Sequence, residues 1–214
     1  MVMKARDLVS HVWNDLVRRH CRDGERAGIV LNALLAAYSE PNRHYHATEH
    51  IASLIRQLDE FAHAVADRDA VTLAILFHDV VYDPRRHDNE EKSAAIAAEL
   101  LSSVGFFDEV VKKVESYVLA TKHSQGSEPN DKDLALLLDL DLSTLAAAPA
   151  DYRVYVEGIR REFAHVPAQE YRAGRRQILE GFLARGRIYR TEPLRALWEE
   201  RARTNIAREI AELA

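Results

Sequence analysis

Turn-forming residues are scarce in this chain. Eight glycines and six prolines among 214 residues are about half the usual share, too few for a many-turned β-sandwich or barrel, and the shortage points to long helices. The lone cysteine, Cys21, makes no internal disulfide, so a reducing, cytoplasmic setting is expected. No apolar run approaches the roughly 18 residues of a membrane helix. The opening stretch carries charges every few residues where a secretory leader would have its apolar segment. Positive charge is in the minority: a net charge of −5 has the wrong sign for a bulk nucleic-acid binder, although a local basic patch stays open. Neither a glycine-rich phosphate loop nor a placed serine nucleophile is evident.

What is present is helical periodicity. Leu8, Val12 and Leu16, with Val9 and Trp13 one step off, share one side of a helix over 4–20. A second helix over about 25–39 stops at Pro41, because the residue before a proline disfavours the helical region. The third starts near His46 or Ala47 and buries Ile51, Leu54, Ile55 and Leu58. The segment 69–81 is almost wholly apolar before His78, as in a central helix, and Asp83-Pro84 ends it. Asp88 offers an N-cap for a helix to about 103. Further helices are expected over 106–121, 131–146, 149–164, 167–185 and 192–212. The runs 72–82 and 134–142 resemble buried strands, but no alternation or hairpin turn supports that reading. With no repeat and no low-complexity linker, 1–214 reads as a single all-α domain.

The histidines carry the chemical signal. Of ten, His44, His46 and His50 fall within seven residues, and a helical segment would put His46 and His50 on one face. His78-Asp79 closes an apolar run, where an unpaired carboxylate is costly to bury. Asp139 and Asp141 repeat the oddity inside another leucine-rich helix. A bound divalent metal accounts for all three features. Singly, each has a plainer explanation: a buried acid often caps a helix or pairs with an arginine.

The order His50, then His78-Asp79, then Asp141 resembles the HD-domain superfamily of metal-dependent phosphohydrolases. The stretches RHYHATEHIASLI, LAILFHDVVYDPRRHDNEEKSA, ATKH and LLLDLDLSTLA, with Tyr-Arg-Ala-Gly-Arg-Arg near the end, look like its bacterial branch of predicted metal-dependent HD phosphohydrolases. The resemblance covers nearly the whole chain. It implies a single phosphodiesterase-like helical bundle with additional C-terminal helices, and one metal held by His50, His78, Asp79 and Asp141. Asp141 is chosen over Asp139 because the second acid of an Asp-x-Asp often holds the metal in that superfamily. Two imidazoles and two carboxylates suit Mn²⁺, Fe²⁺, Co²⁺, Ni²⁺ or Zn²⁺, with Mg²⁺ also open, better than Ca²⁺ or a thiolate-preferring ion. The implied reaction is attack of metal-bound water on a nucleotide or other small phosphate ester.

Neighbouring residues fill the remaining roles. Tyr45-His46-x-x-x-His50 resembles class I cyclic-nucleotide phosphodiesterases, where the first His protonates the leaving oxygen; an unperturbed pKa of about 6.5 suits His46 to that task. His78-Asp79-Val80-Val81-Tyr82-Asp83 resembles the His-Asp-x-x-Glu-Asp motif of guanosine tetraphosphate hydrolases, with Tyr82 in place of the Glu. Asp83 is a candidate to position water or hold Arg43, or simply closes the helix before Pro84. Arg43, Glu90, Lys122 and His123 are candidate substrate contacts, and His87 with His123 would supply one pair for a second metal. Nine arginines against four acids between 153 and 190 make that part locally positive, with Arg160, Arg175 and Arg176 within reach of a phosphate or on a solvated face.

Two functions of different class follow. The first is a metal-dependent phosphohydrolase; the second is a non-hydrolytic HD protein, either a di-iron oxygenase or a metal-stabilised nucleotide-binding module. The expected partner is a small phosphorylated molecule rather than a membrane or a nucleic acid. A homodimer stays open, with Leu194 and Trp198 of the last helix as core or interface.

Overall fold

Helical spacing of apolar residues is realised throughout the computed structural model, which describes residues 3–21, 24–122 and 129–213. Among the described residues there are ten α-helices, two short 3₁₀ helices and no strand; the runs 72–82 and 134–142 are mainly helical. No helix among them is long and apolar enough to cross a membrane. The chain divides into two compact units, Met1–Ser127 and Glu128–Ala214.

The first unit is built on α1 (Ala5–His20), α2 (Gly24–Ala37), α3 (Thr48–Glu60), α4 (Arg68–Phe77), α5 (Asn89–Val104) and α6 (Asp108–Ala120). Helix α4 is its core: every residue from Ala70 to Phe77 is buried. Helix α4 packs on α3, α5 and α6, and α1 packs on α2 and α3. Trp13 of α1 is fully buried. Its indole N–H donates to the Ala27 carbonyl at 2.9 Å, and its ring meets Phe77 edge-on at 6.1 Å. The Asp67 carboxylate caps α4 by accepting from the Ala70 N–H at 3.0 Å and binds the Lys113 ammonium of α6 at 2.9 Å. Helix α5 ends at Gly105 with φ 96°, and the N–H groups of Gly105 and Phe106 return to its last carbonyls. That left-handed cap is a position where a side chain would be strained.

The second unit holds α7 (Lys132–Asp141), α8 (Pro149–Glu162), α9 (Ala168–Ala184) and α10 (Glu192–Glu212). Helix α10 packs on α9 and on the 3₁₀ turn Ser143–Ala146 that follows α7. Asp139, fully buried, accepts from the backbone N–H groups of Arg190 (2.8 Å) and Thr191 (2.7 Å) and from the Thr191 hydroxyl (2.7 Å). A side chain from α7 thereby secures the start of α10. Arg175 and Glu209 form a buried ion pair at 2.7 Å, and the Tyr152 hydroxyl donates to the same carboxylate at 2.5 Å.

Two helices end earlier than their hydrophobic patterns imply. Helix α4 stops at Phe77 rather than continuing to 81, and α7 stops at Asp141, with a 3₁₀ turn over 143–146. For α4 the cause is visible. The carbonyls of Asp79 and Val80 accept from the Arg43 guanidinium, and Ser93 Oγ both accepts from the Val81 N–H and donates to its carbonyl. Donors from elsewhere replace helical hydrogen bonds, so the chain turns out of the helix at the His-Asp pair.

Candidate metal centre

Three side chains converge at the point where α4 ends. His50 lies in the first turn of α3, where Ile51, Leu54, Ile55 and Leu58 hold the helix in the core. His78 is the C-terminal cap of α4, and Asp79 begins the turn beyond it. Asp79 Oδ2 lies 3.0 Å from His78 Nε2 and 4.0 Å from His50 Nε2. One ligand atom from each residue lies within 4.8 Å of the others, and both imidazoles are buried. Within the first unit the structure thus brings together three of the four residues expected to hold a metal. Asp141 is the last residue of α7, in the second unit, and its place in the ligand set rests on the resemblance alone.

The donor atoms fit a cation. His78 Nδ1 lies 3.0 Å from the Ile75 carbonyl, which only accepts, so Nδ1 carries the hydrogen and a neutral ring has its lone pair on Nε2. That nitrogen faces a carboxylate oxygen that also offers only lone pairs when ionised. Two acceptors 3.0 Å apart require a hydrogen or a cation between them, either a proton on one of the two groups or a metal ion. The second imidazole nitrogen lies 4.0 Å from the same oxygen, so one cation could be shared by all three side chains. The backbone hydrogen bond of His78 is the kind of support that fixes the tautomer and orientation of metal-binding histidines. Two nitrogens and an oxygen suit Mn²⁺, Fe²⁺, Co²⁺, Ni²⁺ or Zn²⁺.

His46 stands beside this group, but not on the same helix. Helix α3 begins at Thr48, so His46 belongs to the preceding turn, and the one-face argument from helical spacing does not apply to it. Its ring is nevertheless 6.0 Å from that of His50, and it stacks on Tyr82 at 4.0 Å with 27° between the planes. Tyr45 packs against both histidines, at 4.9 and 4.8 Å. His46 is half-buried, while His44 is exposed.

Arg43 has partners other than those expected of a substrate contact. Its side chain is 2% exposed, and the guanidinium donates to the carbonyls of Asp79 (2.5 Å), Val80 (2.9 Å) and His46 (3.3 Å) and to the Glu40 carboxylate (3.0 Å). Four bonds to the protein leave it little capacity for a phosphate. The Asp83 carboxylate accepts from the Arg85 N–H at 2.9 Å, closing the turn around Pro84, and Asn89 clasps the Asp83 backbone. Asp88 sits at the N-cap of α5, but its carboxylate binds Arg86 instead of the helix. Glu90 is half-buried in the first turn of α5. Lys122 donates to the His87 carbonyl at 2.8 Å and pairs with Glu91, a pairing that raises the ammonium pKa and lowers that of the carboxyl. His87 is exposed. His123 lies outside the described residues.

In the second unit, Arg160 caps carbonyls after α8 and Arg175 is committed to Glu209 and Tyr155; both have structural partners. Leu194 is fully buried, and Trp198 meets Tyr189 edge-on at 5.5 Å. Ser93, whose hydroxyl brackets Val81, and Tyr82, stacked on His46, join the site without being among the residues expected from the sequence. Ser93 had no signal beyond being a small polar residue among alanines. No protein-family model matches this chain, and no curated protein does.

Proposed function

We propose that this protein is a metal-dependent phosphohydrolase of the HD-domain kind, acting on a nucleotide or other small phosphate ester. The observation that carries the reading is the convergence of His50, His78 and Asp79 on one point, with both imidazoles buried. The sequence resemblance draws its metal site from the same residues. When bound, a divalent ion supplies an activated water and neutralises charge on the phosphoryl group. His50, His78 and Asp79 hold that ion. His46, one ring away from His50 and steadied by Tyr82, holds the proton delivered to the leaving oxygen. Lys122 and Glu90 would contact the substrate, and Asp83 shapes the turn between the His-Asp pair and α5.

The test is metal analysis of the purified chain, followed by hydrolysis assays with the metal-loaded protein. Substrates should cover nucleoside mono-, di- and triphosphates, cyclic dinucleotides and guanosine tetraphosphate. One ion of Mn, Co, Ni, Zn or Fe per chain, with hydrolysis of at least one of these that chelation abolishes, supports the reading. Two irons per chain would turn it towards an oxygenase. A chain that takes up no divalent ion and hydrolyses none of these substrates overturns it.

A further inference from the structure

We infer that Arg43 is a positioning residue for the metal centre, fixing His50 against His78-Asp79 through main-chain carbonyls rather than touching substrate. The inference rests on the metal reading of that site. Arg43 lies in the segment that leads into α3, the helix carrying His50. Its guanidinium reaches across to the turn after α4, where it holds the carbonyls of Asp79 and Val80, and back to the carbonyl of His46. One planar group therefore joins the two segments that supply all three donor side chains. The rings of Tyr38 and Tyr82 lie 5.2 and 5.7 Å from its central carbon. Tyr38 is itself tied to α4, its hydroxyl donating to the Leu76 carbonyl at 3.1 Å.

The chemistry explains why the group is an arginine. The Asp79 and Val80 carbonyls lie in the turn beyond α4, and backbone carbonyls shielded from water need donors. Leaving these two carbonyls without donors would free the turn that carries Asp79 to move. A guanidinium meets several acceptors at once in a fixed plane and keeps its charge at any accessible pH. A lysine ammonium offers a single point from a flexible stem and cannot hold the same spread. Because Arg43 binds the backbone of Asp79 itself, its loss moves a donor atom directly. Outer supports of metal ligands are commonly worth about 10- to 100-fold in metal affinity.

The experiment titrates Co²⁺ into the full-length metal-free chain and follows both affinity and the ligand-field absorption of the bound ion. R43Q and R43K are compared with wild type, and V104A, a core change at the far end of α5, serves as a control for lost stability. The expected result is a loss of about 10- to 100-fold in Co²⁺ affinity for R43Q, a smaller but clear loss for R43K, and an altered cobalt spectrum in both. V104A should keep the wild-type spectrum and affinity. If R43Q does not fold, R43K alone decides. Wild-type affinity and spectrum in R43K, or an equal loss in V104A, overturns the inference while leaving the metal reading intact. A wild-type chain that binds no cobalt overturns the metal reading, and the inference with it.

Discussion

His46 and Asp139 show how far a residue's partners decide its role. Stacked on Tyr82 and one ring from His50, His46 is not one of the three converging donors, and on the proposed phosphohydrolase reading it gives the proton. His46→Asn should keep metal affinity and lower kcat by about 10²–10⁴-fold on a substrate with an alcohol leaving group. With p-nitrophenolate, which departs without a proton, the loss should shrink. Equal losses for both leaving groups would make His46 a positioning residue, and loss of the metal would make it a ligand. Asp139 has the opposite character. Burial raises its carboxyl pKa, although the hydrogen bonds from Arg190 and Thr191 act against that, and both its oxygens accept from the start of α10. Asp139→Asn places an amide N–H₂ against those donors and should cost about 1–3 kcal/mol in denaturant unfolding. The metal content of the folded variant should be unchanged; loss of the ion would make Asp139 a ligand.

At the scale of elements, α4 is held at its start by a charge and at its end by another. Burial alone would raise the Asp67 pKa, but the Lys113 ammonium and the Ala70 N–H outweigh it, and the net shift is downward. A carboxyl lowered in the folded state stabilises above its unfolded pKa of 3.8, and that contribution disappears as pH falls through the folded value. Asp67→Ala should therefore cost about 0.5–2 kcal/mol at neutral pH, the usual worth of an N-cap. The difference from wild type should close as urea midpoints are followed from pH 6 to pH 2; a constant difference would show that packing, not charge, was lost. Helix existence was legible from spacing throughout: the expected segments 149–164, 167–185 and 192–212 end within two residues of α8, α9 and α10. The end of α4 was not, because it is set by Arg43 and Ser93, far along the chain, and hydrophobic periodicity carries no record of such partners. His78 and Asp79 were legible for the converse reason, as polar residues closing an apolar run, and His50 through the cluster of three histidines within seven residues.

For the molecule as a whole, the metal reading ties composition to stability. A chain with few turn residues puts its core into α4, and the same helix delivers His78-Asp79 directly after the buried Phe77. Phe77 touches Trp13, one of only two tryptophans in the sequence and the one in the first unit. Trp198→Phe leaves Trp13 as the sole indole, so its fluorescence follows the unfolding of the unit that carries the three donors. An ion that binds only the folded form at 100 times its Kd stabilises by about 2.7 kcal/mol, which for a unit of this size raises Tm by roughly 10 °C. Adding Mn²⁺, Co²⁺ or Zn²⁺ to the metal-free Trp198→Phe protein should shift the Trp13 transition upward by this order, and a chelator should reverse the shift. Asp79→Ala, introduced in the same background, should stay folded but lose the response, since a half-buried carboxylate among the three converging donors has been removed. A Trp13 transition that rises equally with metal in the presence of Asp79→Ala would place the ion elsewhere in the chain.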